Sequence, residues 1–268
     1  MKKISALFLI LLLFFNCSNE SVETQEEQEE QFCDNGTFIG NVTLATQQEV
    51  DEFGAMCYTK VDGMLTIGQD FLDNDIMDLT PLNSLTEIYV SSADNPLSGR
   101  LRILASNLTS LSGLENVESV NGLAIRRCYQ LENLIGLSGL INIGGTDNNW
   151  QSLEINHNSS LQTLDGIENL SNIGTIGTIG FVQIGNNPQL VNIDGLSGIN
   201  AVYGQIKTSV WVNCGPSCTP AFETGNSSLM DLCGFQNLFT NGTYGDVHID
   251  YNAYNPTVQD IIDGNCSQ

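Results

Sequence analysis

The chain reads as an all-β protein, a right-handed parallel β-helix of about seven coils with short capping helices, because its apolar residues recur at a fixed long period. Three observations carry this. Leu123–Leu131, Leu153–Leu161 and Val182–Leu190 superimpose without gaps, with apolar residues at identical offsets and Cys128, Asn158 and Asn187 at one shared position. Each is followed at a constant offset by a second apolar block, Leu134-Ile-Gly-Leu137, Leu164-Asp-Gly-Ile167 or Ile193-Asp-Gly-Leu196. Ile88, Val120, Ile143, Ile173 and Val202 supply a third apolar edge just before the next repeat.

Within each repeat Leu-x-Ile alternates with period two, so those side chains are expected to point inward and their neighbours outward. Ile67, Ile103, Ile125, Ile155, Ile184, Val212 and Ile249 are the expected strand centres, and Thr66, Arg102, Ala124, Glu154, Gln183, Trp211 and His248 the outward row. The absence of a long 3.6-period stretch argues against outer helices, and three short edges per repeat suit a leucine-rich-repeat-like solenoid. Both ends of such a stack need a cap. Ala45–Phe53 reads as an amphipathic helix with Thr46 as N-cap and Glu49 three residues on. At the other end Asn255–Gly264 reads as a short helix opened by Pro256 and stopped by Gly264.

Residues 1–16, with Lys2 and Lys3 before an apolar run from Ile4 to Phe15, have the length and flanks of a secretory signal peptide rather than a membrane span. The sequence Phe14-Phe15-Asn16-Cys17 resembles a bacterial lipoprotein signal in which Cys17 becomes the lipidated first residue, with Asn16 departing from the usual small residue. Residues 17–32 are Glu-, Gln-, Ser- and Thr-rich and too polar to order themselves, which suits a flexible acidic tether. Residues 33–268 form the expected single domain. An acidic run after a lipidated Cys resembles a surface-export signal, so the expected location is the bacterial outer membrane, lipid-anchored and exposed at the cell surface.

With 31 acidic against 8 basic residues and a net charge of −23, nucleic acid and direct attraction to anionic headgroups are disfavoured. Of the eight cysteines, Cys17 is assigned to lipid and Cys128 to a buried, unpaired place in the repeat. Proximity in sequence pairs Cys33 with Cys57, Cys214 with Cys218 and Cys233 with Cys266, within the many connectivities that six cysteines allow.

Cys33, the lid helix, Cys57, the stretch Val61-Asp-Gly-Met-Leu-Thr-Ile67 and the recurrent Leu-x-x-Leu-x-Gly-Leu block resemble the receptor L-domain family. The resemblance covers the chain after the tether and implies a β-helical binding module. It does not extend to hormone signalling, since the cysteine-rich modules, membrane helix and kinase of the animal receptors are missing from this chain.

All four arginines, Arg100, Arg102, Arg126 and Arg127, fall in two successive repeats. Two readings stand: an anion-recognition patch for a carboxylate or sulfate on a glycan or peptide, or ion pairing with local acids such as Glu154. Trp211 and His248 on the outward row could stack on a sugar or anchor a protein, although Trp211 could equally be covered by the insertion after Cys214. Asp70, Asp73, Asp75 and Asp78 lie close enough to consider Ca²⁺, but lack the Gly and closing Glu of an EF-hand, so a solvated acidic loop is expected and no metal or cofactor. No metalloprotease, phosphate-loop or nucleophile-elbow motif occurs, Cys214-Gly-Pro-Ser-Cys218 has no companion pair for zinc, and the sequons at Asn41, Asn107, Asn158, Asn226 and Asn241 reflect an Asn-rich repeat. The expected function is therefore a non-enzymatic surface lipoprotein binding an extracellular glycan, peptide or protein. The alternatives are a β-helical polysaccharide lyase using the arginines and the aspartate cluster, or a structural envelope protein.

Overall fold

The computed structural model describes residues 36–70, 74–91, 99–145, 151–178, 180–212 and 222–268, the side chains of 211, 212 and 222 excepted. The described residues belong to one compact unit, Cys33–Gln268. The chain visits two parallel sheets alternately, one of seven strands and one of eight, and a separate two-stranded antiparallel pair joins Val210–Val212 to Phe222–Thr224.

The expectation of an all-β, right-handed parallel β-helix is overturned. Two separate parallel sheets have helical segments in the connections between them, an α/β-like arrangement in which no closed solenoid is seen. Among the described residues there are α-helices at Gln47–Ala55, Gln236–Asn241 and Val258–Ile262, and 3-10 helices at Thr80–Leu82, Ile135–Leu137, Asp194–Leu196 and Cys233–Phe235. The misreading has a definite cause. The second apolar block spaces its apolar residues three apart, the spacing at which side chains stack in a 3-10 turn. Leu137 N–H donates to the Leu134 carbonyl at 2.8 Å and Leu196 N–H to the Ile193 carbonyl at 2.9 Å, which closes such turns. The glycine of the block is required by close approach: a Cβ at Gly195 or Gly234 would collide with the carbonyl of Leu164 or Ile193 in the preceding repeat.

Strand register follows the apolar alternation. Across the eight-stranded sheet Leu65, Leu101, Leu123, Leu153, Val182 and Ile206 are successive partners, as are Ile67, Ile103, Ile125, Ile155 and Ile184 in the next column but one. Val61, Ile88, Val120, Ile143, Ile173 and Val202 form one column of the seven-stranded sheet. All of these side chains are buried in a single apolar core. Side chains from the two sheets and the 3-10 turns fill it, so each short strand is stabilised by stacking on its neighbours rather than by its own length.

A second, polar column runs beside the core. Asn158, Asn187 and Asn226 are buried, and each accepts at Oδ1 the backbone N–H of the preceding ladder residue: Cys128 to Asn158 at 3.0 Å, Asn158 to Asn187 at 3.0 Å and Asn187 to Asn226 at 3.1 Å. Asn252 ends the ladder by accepting from Asn226 N–H at 3.2 Å. The Nδ2 groups of Asn158, Asn187 and Asn226 donate to the carbonyls of Ile125, Ile155 and Ile184 at 3.1, 2.8 and 3.0 Å. Residues in the left-handed region, Arg127, His157, Asn186 and Tyr251, immediately precede Cys128, Asn158, Asn187 and Asn252 and turn these side chains inward. Cys128 is free and buried, and its thiol donates only weakly, to the Ile103 carbonyl at 3.6 Å.

The N-terminal helix Gln47–Ala55 has the capping box expected of Thr46 and Glu49. The C-terminal helix Val258–Ile262 is capped by Thr257 with Asp260, so Pro256 sits one residue outside the cap rather than opening the helix. The Cys233–Cys266 disulfide ties its end to the preceding 3-10 turn. Cys57 is also disulfide-bonded, while Cys17, Cys33, Cys214 and Cys218 lie outside the described residues.

Candidate functional site

The outward row of the eight-stranded sheet reads, by register, Thr43, Thr66, Arg102, Ala124, Glu154, Gln183, Lys207 and His248. Thr43 extends the expected row at one end, and one position within it differs. Lys207 replaces Trp211, because Ile206–Lys207 is the strand that pairs with Val182–Gln183, whereas Val210–Val212 turns aside into the antiparallel pair. The expected strand centre Val212 falls with it. Trp211 therefore lies off the row, and its side chain is outside the described residues.

The four arginines do gather, and they gather around carboxylates. Glu154, 3 % exposed, receives Arg100 at 2.6 Å on one oxygen and Arg126 on the other. Ser152 Oγ donates to the Arg100-bound oxygen at 3.0 Å. Asp70 receives Arg102 at 3.0 Å and Arg127 at 2.7 Å. The register explains the first pair: Arg126 is opposite Asn156 and Ala124 opposite Glu154, so the small Ala124 leaves room for long side chains to lie over it. The arginines that the lyase reading would use are thus each engaged with a carboxylate.

Charge in this cluster is unevenly matched. Arg100 and Arg126 share one carboxylate, and the Nε of each is buried with no hydrogen-bond acceptor. Burial, followed by the nearby guanidinium groups of Arg100 and Arg102, makes the Arg126 proton easier to lose than that of an ordinary arginine; burial does the same at Arg100. Further along, Glu223 pairs with Lys207 and accepts from Ser209 Oγ at 2.7 Å, and these hydrogen bonds hold its carboxyl below the usual range.

Beside this cluster a cleft of about 390 Å³ opens on the outward face, lined by Arg126, Glu154, Phe181, Val182, Gln183, Gln205 and Lys207. Of the residues the sequence singled out, Arg126 and Glu154 line it, Arg100 holds Glu154 from the neighbouring strand, and Arg102 pairs instead with Asp70. His248 registers with Lys207 but opens onto a separate cleft with Asp250 and Thr257. Phe181, Gln205 and Lys207 were not anticipated. A spacing of 22 residues from Ile184 to Ile206 lies inside the repeat period and could have pointed to Lys207.

The aspartate cluster does not converge. Asp70 serves the arginines, Asp75 accepts Gln47 N–H at 2.9 Å, Asp78 accepts Thr80 N–H at 2.8 Å, and Asp73 lies outside the described residues. Among the described residues no group of three or more acidic, histidine or cysteine side chains could hold a metal ion, and no helix is long and apolar enough to cross a membrane. Comparison of the chain with family models, with curated proteins and with solved structures yields no match.

Proposed function

We propose that this chain is a non-enzymatic binding protein, exported, lipidated at Cys17 and held at the outer membrane by the tether 17–32, which presents one face of its eight-stranded sheet to an extracellular glycan, peptide or protein. The binding role alone is taken over from the resemblance to the receptor L-domain family. The observation that supports it most is the cleft itself. Its volume lies within the range of small-ligand sites, and it combines an aromatic ring, Phe181, with the amides of Gln183 and Gln205 and the charged ends of Arg126, Glu154 and Lys207. Rigid strands carry most of these groups, so the site is formed before a ligand arrives.

The test is binding of the full chain to arrays of glycans and of peptides, repeated with Phe181→Ala and Gln183→Ala. Both variants should lose binding at least tenfold; Phe181→Ala should keep the thermal stability of the parent, and Gln183→Ala should lower it modestly because it also removes the acceptor of the buried Asn156 Nδ2. Binding that survives both substitutions unchanged places the ligand elsewhere and refutes the proposal. Radiolabelled palmitate incorporation lost in Cys17→Ser tests the anchor.

A further inference from the structure

Resting on that reading of the cleft, we infer that its ligand carries an oxyanion, a carboxylate or sulfate group, held between the guanidinium of Arg126 and the ammonium of Lys207. The starting point is a mismatch of charge. Two guanidinium groups, Arg100 and Arg126, share the single carboxylate of Glu154. An arginine offers five N–H donors. Among the described residues Arg126 has Glu154 as its one side-chain acceptor, and its Nε–H is buried without any. The buried Nε–H is closed to a ligand, so an added acceptor would be taken by the Nη groups of this part-exposed guanidinium, which as charged donors bond an oxyanion strongly.

Geometry places that acceptor in the cleft. The Arg126 side chain is 33 % exposed against 12 % for Arg100, so Arg126 is the member of the pair that a ligand can reach. Glu154, Gln183 and Lys207 are register partners on successive strands and Arg126 lies one strand before Glu154, which sets the Arg126 and Lys207 backbones about 14 Å apart across the sheet. Both long side chains line the cleft, where an anion would share Lys207 with Glu223 and Arg126 with Glu154. Gln183 and Gln205 lie between them to hold neutral polar atoms, and Phe181 offers a ring for the apolar face of a sugar or side chain.

The repulsion among the arginines points the same way. Arg100, Arg102 and Arg127 each make it easier for Arg126 to lose its proton, while Asp70 and the ion-paired Glu154 act against them. A bound anion would relieve that repulsion. A net charge of −23 on the whole chain works against long-range attraction of anions, so recognition here is by contact and not by steering. Glu154 blocks a purely electrostatic patch by occupying the inner side of both guanidiniums; the ligand therefore approaches Arg126 from the open side.

The experiment is a titration of the full chain with glucuronate, inorganic sulfate and glucose, followed by the arginine Nε–H and Phe181 resonances in nuclear magnetic resonance spectra. Glucuronate and sulfate should shift the Arg126 Nε–H signal in a saturable way with a midpoint on the order of 1 mM, as a single weak polar contact set gives, and glucose should leave it still. Glucuronate should also move Phe181. Arg126→Gln should weaken both anions about tenfold or more. Because that variant also removes a partner of Glu154, Lys207→Gln, which removes the partner of a different carboxylate, Glu223, serves as the second probe; with thermal stability checked for both, it should weaken them by a similar factor. Glucose binding as tightly as glucuronate overturns the oxyanion inference and leaves the binding face standing. Anion shifts that appear away from Arg126, or that survive both substitutions, overturn it as well. If no glycan or peptide of any charge moves Phe181, the binding face itself fails.

Discussion

Replacing Asn187 by Ala removes the central rung of the asparagine ladder, and its cost can be worked from the hydrogen bonds that vanish. Asn187 Oδ1 is the acceptor for both Asn158 N–H, at 3.0 Å, and Asn158 Nδ2, at 3.1 Å. Both donors are buried, and Asn187 is itself 0 % exposed, so no solvent reaches the gap. A buried donor left without a partner costs about 1 to 3 kcal/mol, so two of them cost about 2 to 6, with the lost bond to the Ile155 carbonyl added. Taking about 4 kcal/mol, the loss approaches half the stability of a typical domain and lowers Tm by about 8 to 16 °C in a unit of this size. Asn187→Asp separates the acceptor from the donor. It keeps Oδ1 but sets a second carboxylate oxygen against the Ile155 carbonyl and Asn226 Oδ1, where Nδ2 now donates. Burial and those opposing oxygens raise the folded pKa of the new Asp above its unfolded value of about 3.9. Its stability contribution is then present below that unfolded pKa and is lost as pH rises through the folded one. Urea unfolding of both variants between pH 4 and pH 7 reads this directly. A loss below about 1 kcal/mol for the Ala variant, or a flat pH profile for the Asp variant relative to the parent, refutes the ladder as a stabilising element.

Three further outcomes are expected. Glu154→Gln leaves Arg100 and Arg126 without their shared counter-charge and should destabilise by about 2 to 4 kcal/mol in urea titrations, below the upper range for breaking a buried pair because a third of the Arg126 side chain stays in water. Burial, with help from Arg127 and Arg126, lowers the His157 pKa, so the unfolded chain binds the proton more tightly; stability should fall as pH drops below about 6.5, and His157→Asn, which tolerates the left-handed backbone there, should remove that part of the pH dependence. The Cys128 thiol, pushed up to about 12 by burial, should resist iodoacetamide in the folded protein and react within minutes in denaturant, as mass spectrometry of the labelled chain will show.

Much of the local pattern was legible. The Leu-x-Ile alternation at a constant offset was enough to align Leu123, Leu153 and Val182 in one column and Ile125, Ile155 and Ile184 in another, because a one-residue slip would turn every apolar side chain to the wrong face. Thr46 and Glu49 announced the first helix, since a capping box is a local device. The 3-10 turns were not legible as helices: a three-residue repeat unit such as Ile135–Leu137 is too short to show a period, and the same spacing suits an apolar edge. Trp211 was misplaced for a related reason. Val210–Val212 carries the alternation of its neighbours, and only its pairing with Phe222–Thr224 removes it from the parallel sheet.

In the candidate site, the clustering of four arginines was visible along the chain, but which acids they meet was not. Glu154 lies 54 residues from Arg100 and Asp70 lies 57 from Arg127, and parallel strand pairing is what brings these distant positions within a side chain's length. By itself, then, the sequence determined which side chains face the core, where the first helix begins and where the positive charge concentrates. Each of these follows from neighbours within a few residues, through alternation, capping and composition. The tertiary structure alone decided that the chain builds two parallel sheets joined by helical turns, that Lys207 rather than Trp211 completes the outward row, and that Arg126 is left with more donors than acceptors beside an open cleft. Those outcomes depend on backbone hydrogen bonds and ion pairs between residues about 20 to 60 positions apart, whose partners are chosen by packing of the whole.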